Sequence, residues 1–213
     1  MMEMNKILVV FVLGVFLPDL YKVHACFCPE SHPQTDFCHL SSFALVGYVT
    51  DIVENNKDRR FNVGIQYTLR FPGGYTDKTH LELISHKGPT LCELSLVTGE
   101  YYMITGYVNS DNEYLVNSCM WTENFESMTS SRYNGLLGNY DCSCYINETW
   151  GLIPPKATAR DICNYDKTTS CEHAACMRGE DDTCEWLLNC EEATSDFFKD
   201  LKRKTKKELD NIL

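Results

Sequence analysis

Two cysteines separated by one residue, Cys26 and Cys28, are the residues of this sequence best placed for unusual chemistry. On an extended segment their side chains project the same way, and they are too close along the chain to bond each other without heavy strain. Each is therefore expected to reach a remote cysteine, which would fix the segment at two adjacent points. If the chain began at Cys26, its α-amino nitrogen and carbonyl oxygen would be held side by side. They could then bind a metal ion that has an open coordination position in another protein.

The residues before Cys26 have the three parts of a secretory signal. Lys6 provides the positive start, residues 7–17 the apolar run and residues 23–25 the small-residue cleavage site. The run is shorter than the roughly 20 residues that a membrane span needs, and no later stretch is long or apolar enough. We therefore predict a signal peptide over residues 1–25 and a secreted, extracellular protein without a membrane span.

All 12 cysteines follow the predicted signal. An even number of cysteines in a secreted chain indicates a disulfide framework, and each bridge stabilises a small module by about 2–4 kcal/mol. A structural zinc ion is the competing interpretation, but the histidines show no paired ligand spacing. We therefore predict disulfide bonds and no cofactor of the protein's own.

Charge and motifs exclude several classes of function. The formal net charge of −11 argues against nucleic acid as a partner. The sequence contains no His-Glu-x-x-His, no Gly-x-Ser-x-Gly and no glycine-rich phosphate loop. The even cysteine count favours structural bonding of Cys26 and Cys28 over redox chemistry. The sequence therefore predicts a monomeric binding module and not an enzyme.

The elements that would position these cysteines are mainly strands. Alternating and β-branched residues predict five strands, at residues 44–53, 61–71, 78–85, 100–108 and 113–119. Residues 54–60 read as a polar turn, too short for a long hairpin. Prolines predict an extended, non-helical start to the segment 28–38, and helices are predicted over residues 35–43 and from Trp121 to Gly135. Five strands at hairpin spacing favour a closed barrel of the OB type, with a sandwich as the alternative.

The composition changes near Asp141, where cysteines become dense and strand signals weaken. We predict an N-terminal domain over residues 26–141 and a cysteine-rich C-terminal domain over residues 142–213. Asn147 begins an N-glycosylation acceptor.

The tail 195–213 is predicted to be helical. It has a basic cluster, interpreted as a solvated face, with contact to acidic partners or matrix glycans as the alternative. The cluster consists of Lys202, Arg203, Lys204, Lys206 and Lys207.

Motifs from Cys26 to about Leu188 occur here in a characteristic order. They are Cys26-x-Cys28, His32-Pro33-Gln34-Thr35, Phe37-Cys38, Gly88 to Cys92, Glu100 to Gly106, Cys119 with Trp121, Cys142-x-Cys144, Cys171 with Cys176, and Cys184-Glu185-Trp186. Together they resemble the tissue inhibitors of metalloproteinases. The resemblance implies a netrin-like OB barrel that inhibits secreted zinc endopeptidases of the matrix metalloproteinase type.

The resemblance also implies a mechanism. The α-amino and carbonyl groups of Cys26 would replace the water on the protease's catalytic zinc, and Phe27 would enter the adjacent specificity pocket. The protease-binding residues would be Cys26, Phe27, Cys28, Pro29, Thr90, Leu91 and Cys92. The implied disulfides are Cys26–Cys92, Cys28–Cys119, Cys38–Cys142 and Cys171–Cys176, which leaves Cys144, Cys163, Cys184 and Cys190 unassigned.

Three departures indicate a divergent, invertebrate-like member of that family. Phe27 stands where the family has a small hydroxylated residue, Glu30 where it has proline, and Asp36 where a small apolar residue is usual. The alternative function is a non-inhibitory, netrin-type module that binds extracellular matrix.

Overall fold

The structure, a computed structural model, describes residues 26–29, 31–74, 76–88, 91–148, 153–165 and 175–187. These residues form a mainly β protein with few helices. The strands are β1 Phe43–Glu54, β2 Asp58–Arg70, β3 His80–His86, β4 Tyr101–Val108, β5 Tyr114–Leu115, β6 Thr122–Asn124, β7 Tyr145–Asn147, β8 Ile162–Asn164, β9 Ala175–Arg178 and β10 Cys184–Leu187. In this part of the chain, no helix is long and apolar enough to cross a membrane.

The first six strands form one sheet in the order β1-β2-β3-β5-β4-β6, and β1 also pairs with β4. Strands β3 and β5 run parallel, and the other neighbours run antiparallel. Each of the strands β1 to β5 therefore has a partner on both sides. Sequence patterns predicted these five strands. The sixth strand, β6, lies in a stretch that was predicted to be helical.

Both faces of the β1–β4 pair are buried. Phe43 and Leu45 of β1 face one hydrophobic cluster with Tyr102 and Ile104 of β4. The intervening residues face a second cluster, which contains Ala44, Val46, Tyr101, Met103, Trp121 and Tyr140. Burial on both sides explains why the sequence of β1 begins as a nearly continuous apolar run instead of a strict alternation.

The hairpin of β1 and β2 is longer than predicted. Pairing continues to Glu54 opposite Arg59, so the predicted turn 54–60 shrinks to residues 55–57. The ladder has three register shifts, which bend β1 so that its first half also pairs with β4. Gly47 lies at one shift, and a Cβ atom there would come within 2.3 Å of Val63 Cγ1.

The helical predictions need correction. A short α-helix, α1, spans Pro33–Thr35 and continues as a π-helical turn at Asp36–Leu40, whereas Phe43 already belongs to β1. Pro33 starts this helix instead of preventing it, because proline lacks only an N–H that the first helical turn leaves unpaired. The predicted helix from Trp121 to Gly135 is reduced to α2, Ser130–Asn134, which continues as a π-helical turn at Gly135–Asn139.

The segment after Asp141 forms two small sheets. Strand β7 pairs with β8 in parallel, and β9 pairs with β10 antiparallel. The sequence therefore underestimated the number of strands after Asp141, because strands of three or four residues are too short to show alternation. Its small buried cluster is built on half-cystines, with Ile146 among them. A 3-10 turn at Ala159–Asp161 precedes β8.

Five disulfides link the described residues. Three are the pairs implied by the resemblance: Cys26–Cys92, Cys28–Cys119 and Cys38–Cys142. The expected Cys171–Cys176 pair is wrong, because Cys176 on β9 is bonded to Cys163 on β8. The fifth bridge joins Cys144 to Cys184. Cys171, Cys190, the predicted signal peptide and the predicted tail helix lie outside the described residues.

Candidate functional site: the disulfide edge

Two disulfides fix the segment 26–29 to the sheet. Cys26 and Cys92 have their Cα atoms 5.1 Å apart, and those of Cys28 and Cys119 are 4.9 Å apart. We call residues 26–29, together with 91–92 and 118–119, the disulfide edge. The sequence predicted that each of the first two cysteines would reach a remote partner, and the structure brings both partners to one place.

Cys119 reaches this edge because the chain leaves the sheet between β5 and β6. Tyr107 of β4 lies opposite Leu115, whereas Ile104 of β4 lies opposite Thr122. The chain facing β4 therefore advances seven residues while β4 advances three, and the surplus forms a loop. This loop carries Cys119, so the predicted continuous strand 113–119 ends at Leu115.

Cys92 is held in an unusual backbone conformation. Its φ angle is +50°, in the left-handed region that non-glycine residues seldom adopt. The carbonyl of Cys92 accepts a 2.7 Å hydrogen bond from the N–H of Ser118, which ties the two bridge-bearing loops together. Two residues later, the N–H of Leu94 donates to the Ser85 hydroxyl at 2.8 Å. These bonds hold the half-cystine in place despite the strained backbone.

The edge exposes apolar side chains. Phe27, between the two bonded cysteines, is 76% exposed, and Leu91 beside Cys92 is 48% exposed. Pro29 is exposed as well. Large apolar side chains exposed on a covalently fixed part of a protein are typical of a binding surface. Thr90, the remaining predicted contact residue, lies outside the described residues.

The four sulfur atoms of the edge lie close together. The Sγ atoms of Cys26, Cys28, Cys92 and Cys119 are all within 4.8 Å of one another. A set of four cysteines at this spacing could otherwise bind zinc as thiolates. Here all four sulfurs are used in disulfide bonds. The metal chemistry open to this edge is therefore that of its backbone nitrogen and oxygen atoms.

An ion-pair network supports the loop that carries Cys92. The Arg59 guanidinium at the tip of the β1–β2 hairpin bonds Glu54 at 2.7 Å and Glu93 at 3.2 Å. Lys87 also bonds Glu54, at 2.9 Å. These contacts hold the Glu54 pKa below its usual range. The network ties the hairpin tip to the residue that follows Cys92.

Directly after the edge, Gln34 joins α1 to the C-terminal segment. Its side chain is 1% exposed, and its amide group exchanges hydrogen bonds with backbone groups as a neighbouring strand does. The amide nitrogen donates to the carbonyls of Cys176 at 2.7 Å and Asp141 at 3.0 Å, and the amide oxygen accepts from the Cys176 N–H at 2.8 Å. Sequence reasoning assigned Gln34 only to a motif, because its partners lie more than 100 residues away in the chain.

One buried and one half-buried carboxyl group lie around the same helix. Asp36 is 6% exposed and accepts a 3.0 Å bond from the Ser31 hydroxyl, and burial raises its pKa to about 7. Glu148 accepts bonds from the His32 N–H at 2.9 Å and the Thr35 hydroxyl at 2.8 Å. Burial raises the pKa of Glu148 too. The sequence marked Asp36 as a departure from the resembled family, but nothing in it pointed to the partial burial of Glu148.

An exposed, disulfide-fixed strip on a mainly β scaffold defines a binding module. The sequence profile of the tissue inhibitor of metalloproteinase family matches residues 24–186. Metalloproteinase inhibitor 3 of Gallus gallus is 29% identical over 194 residues, which cover 84% of this chain and 89% of the relative. Metalloproteinase inhibitor 4 of Mus musculus is 25% identical over 182 residues, 76% of this chain and 80% of the relative. The chain belongs to the tissue inhibitor of metalloproteinase family, whose members are inhibitors and not enzymes.

Proposed function

We propose that this protein is a secreted inhibitor of zinc metalloendopeptidases and that the disulfide edge is its inhibitory surface. The observation that carries the proposal is the exposed Phe27 between two cysteines that are both bonded to distant loops. Family membership supplies the class of target. The finer parts of the proposal concern the chemistry at Cys26.

Removal of a signal peptide after residue 25 would make Cys26 the first residue. A catalytic zinc has three protein ligands and an open position that holds water. The α-amino nitrogen and carbonyl oxygen of Cys26 would occupy that position together and displace the water. An α-amino group has a pKa of about 7.7–8.0, so its deprotonation near neutral pH costs little, and metal binding favours it further. The zinc belongs to the protease.

The disulfides would make this ligand rigid. A flexible segment loses conformational freedom on binding, whereas a segment fixed at two points has little to lose. With Cys26 on the zinc, the ring of Phe27 would enter the neighbouring specificity pocket of the protease. Cys28, Pro29, Thr90, Leu91 and Cys92 would form the contact surface around it. A large ring suits a deep apolar pocket, so we expect proteases with shallow pockets to be inhibited weakly.

We interpret the strands as a closed barrel of the OB type. Support comes from the pairings of β1 to β5, each of which has a partner on both sides. We retain the division into an N-terminal domain over 26–141 and a C-terminal domain over 142–213, in a monomeric extracellular protein. Asn147 is exposed, as a glycosylated asparagine must be.

The test compares the secreted protein that starts at Cys26 with a variant that has one extra alanine before it. Both are titrated against a panel of zinc endopeptidases with deep and shallow specificity pockets. We expect the extra residue to weaken inhibition by about 100-fold or more, because a lost zinc ligand is worth several kcal/mol. Thermal unfolding of the two proteins should be the same.

Two results would count against the proposal. Full inhibition by the extended variant would refute chelation by the Cys26 amine. Inhibition by neither form would favour the alternative, a netrin-type module that binds matrix through the same scaffold. Binding of the secreted protein to immobilised matrix glycans would then be measured, with and without the basic cluster at residues 202–207.

A further inference from the structure

A cavity of about 550 Å³ adjoins the disulfide edge. Cys28, Pro29, Ser118 and Cys119 form the part of its wall that belongs to the edge. Asp36 and Trp121 line the cavity as well. The proposed zinc ligand Cys26 and Phe27 do not line the cavity, which shares only Cys28 and Pro29 with the proposed protease contacts.

The Asp36 carboxyl group is the notable polar group in the wall. It is 6% exposed and bonded to the Ser31 hydroxyl and the backbone N–H of Trp121. Throughout the part of the chain that the structure describes, no cation is paired with it. A buried carboxylate without a counter-ion is costly, and burial accordingly raises the Asp36 pKa to about 7. A cation brought in by a ligand would offset this cost.

The other walls suit a cation that carries an alkyl chain. The rings of Trp121 and Tyr165 line the cavity, and aromatic faces attract cations. Arg132 lines it too, but its guanidinium is bonded to the Glu123 carboxylate at 2.9 Å, which balances its charge. Glu148 adds to the electrostatic cost of a negative charge on Asp36.

His32, also in the wall, adds no counter-ion in its neutral form. Its Nδ1 atom accepts a 3.2 Å bond from the Gln34 N–H, so the ring proton is then on Nε2. Because the Arg132 charge is balanced by Glu123, the Asp36 carboxylate favours a positively charged ligand over a negative one.

We propose that this cavity is a binding site for an alkylammonium group, with the Asp36 carboxylate as its counter-ion and the rings of Trp121 and Tyr165 beside its alkyl chain. The ammonium group comes either from a free amine or from a lysine side chain of a docked protein.

The first test uses n-butylammonium chloride as the probe and 1-butanol, which has the same alkyl chain without the charge, as the control. Each is titrated into the isotopically labelled full secreted protein, and the backbone amide signals of Ser31 and Trp121 are followed by NMR. We expect saturable shifts with the ammonium ion alone. Binding at about pH 6 should be about tenfold weaker than at about pH 8, because a carboxyl with a pKa near 7 is mostly protonated at the lower pH.

Two variants and one control identify the site. Asp36→Asn keeps the shape of the side chain and should abolish the saturable shifts. Met120→Trp enlarges a wall residue without changing the carboxyl group and should also weaken binding. Asp51→Asn removes an exposed carboxyl on β1 and should leave binding unchanged. Equal shifts with 1-butanol, or unchanged binding in Asp36→Asn, would overturn the proposal.

Inhibition assays then distinguish the two sources of the ammonium group. If Asp36→Asn weakens inhibition of a protease about tenfold or more, the ligand is a lysine of the docked enzyme. If it loses n-butylammonium binding but inhibits normally, the ligand is a free amine. The NMR titration needs no protease, so failure of the inhibitor proposal leaves this test intact.

Discussion

Residues 26–29 and residues 31–36 follow each other in the chain but are held in opposite ways. The first segment is mostly exposed and fixed by two disulfides. The second is mostly buried and fixed by hydrogen bonds from Gln34, His32 and Thr35 to residues beyond 140. Residues 26–29 are therefore immobilised by covalent bonds, and residues 31–36 by hydrogen bonds of buried polar groups.

The difference follows from what each segment can bury. A segment that presents Phe27 to a partner cannot use that side chain for its own packing, so disulfides are the means left to fix it. A buried segment can use its polar groups, because a hydrogen bond shielded from water is costly to break. The exposed segment should therefore tolerate changes of side chain, and the buried one should not.

The largest expected effect comes from releasing the exposed segment. The double variant Cys28→Ser/Cys119→Ser opens a loop with a sequence separation of 91 residues, which costs about 4.6 kcal/mol of unfolding free energy by chain entropy. Inhibition should weaken by roughly 100-fold, because the segment must then be ordered on binding. Both effects are measured by denaturant unfolding and by inhibition constants.

The matched control for that variant is Cys144→Ser/Cys184→Ser, which removes a bridge that lies outside the disulfide edge. It should lower stability by a similar amount, about 3–4 kcal/mol, but leave inhibition nearly unchanged. Equal losses of inhibition in the two double variants would mean that global stability, and not rigidity of the edge, decides inhibition.

The second prediction concerns the pH dependence of the buried segment. The Asp36 pKa is raised from 3.8 to about 7, so the folded state binds this proton more tightly than the unfolded state does. The stability that protonated Asp36 contributes is full below about pH 4 and is lost as the pH rises through about 7. The free energy of unfolding should fall, relative to Asp36→Asn, by roughly 3 kcal/mol between about pH 5 and about pH 8.

That difference is measured by urea unfolding of both proteins across this pH range. Comparison with the variant cancels the contributions of the other acids, apart from Glu148, which is electrostatically coupled to Asp36. A constant difference between the two proteins would show that Asp36 is not buried as the structure has it.

The third prediction breaks the hydrogen bonds of the buried segment. Gln34→Leu leaves the Cys176 N–H and the carbonyls of Cys176 and Asp141 without their partner, at a cost of about 2 kcal/mol. Gln66→Leu, at a half-buried position on β2, is the control and should change stability by less than about 1 kcal/mol. Similar effects of the two substitutions on urea unfolding would mean that the hydrogen bonds of Gln34 do not fix the segment 31–36.

Sequence patterns predicted local structure best where the strands are long. The strands β1, β2, β3 and β4 were placed within a few residues of their actual bounds. The prediction failed at residues 116–124, because the loop between β5 and β6 is fixed by the disulfide of Cys119 with Cys28 and has no characteristic side-chain pattern. The disulfide of Cys176 was missed for a related reason. Its partner Cys163 is set by the pairing of β7 with β8, and cysteine spacing contains no information about that pairing.

The sequence by itself determined the mainly β character, the presence of disulfides and the family, since these depend on residue types and spacings along the chain. Only the tertiary structure decided which groups share an environment. Asp36 and Glu148 are 112 residues apart, and burial near each other gives both carboxyls raised pKa values. The burial of a group depends on all the residues that pack around it. Neither the cavity beside the disulfide edge nor the hydrogen bonds of Gln34 could therefore be inferred before the chain was folded.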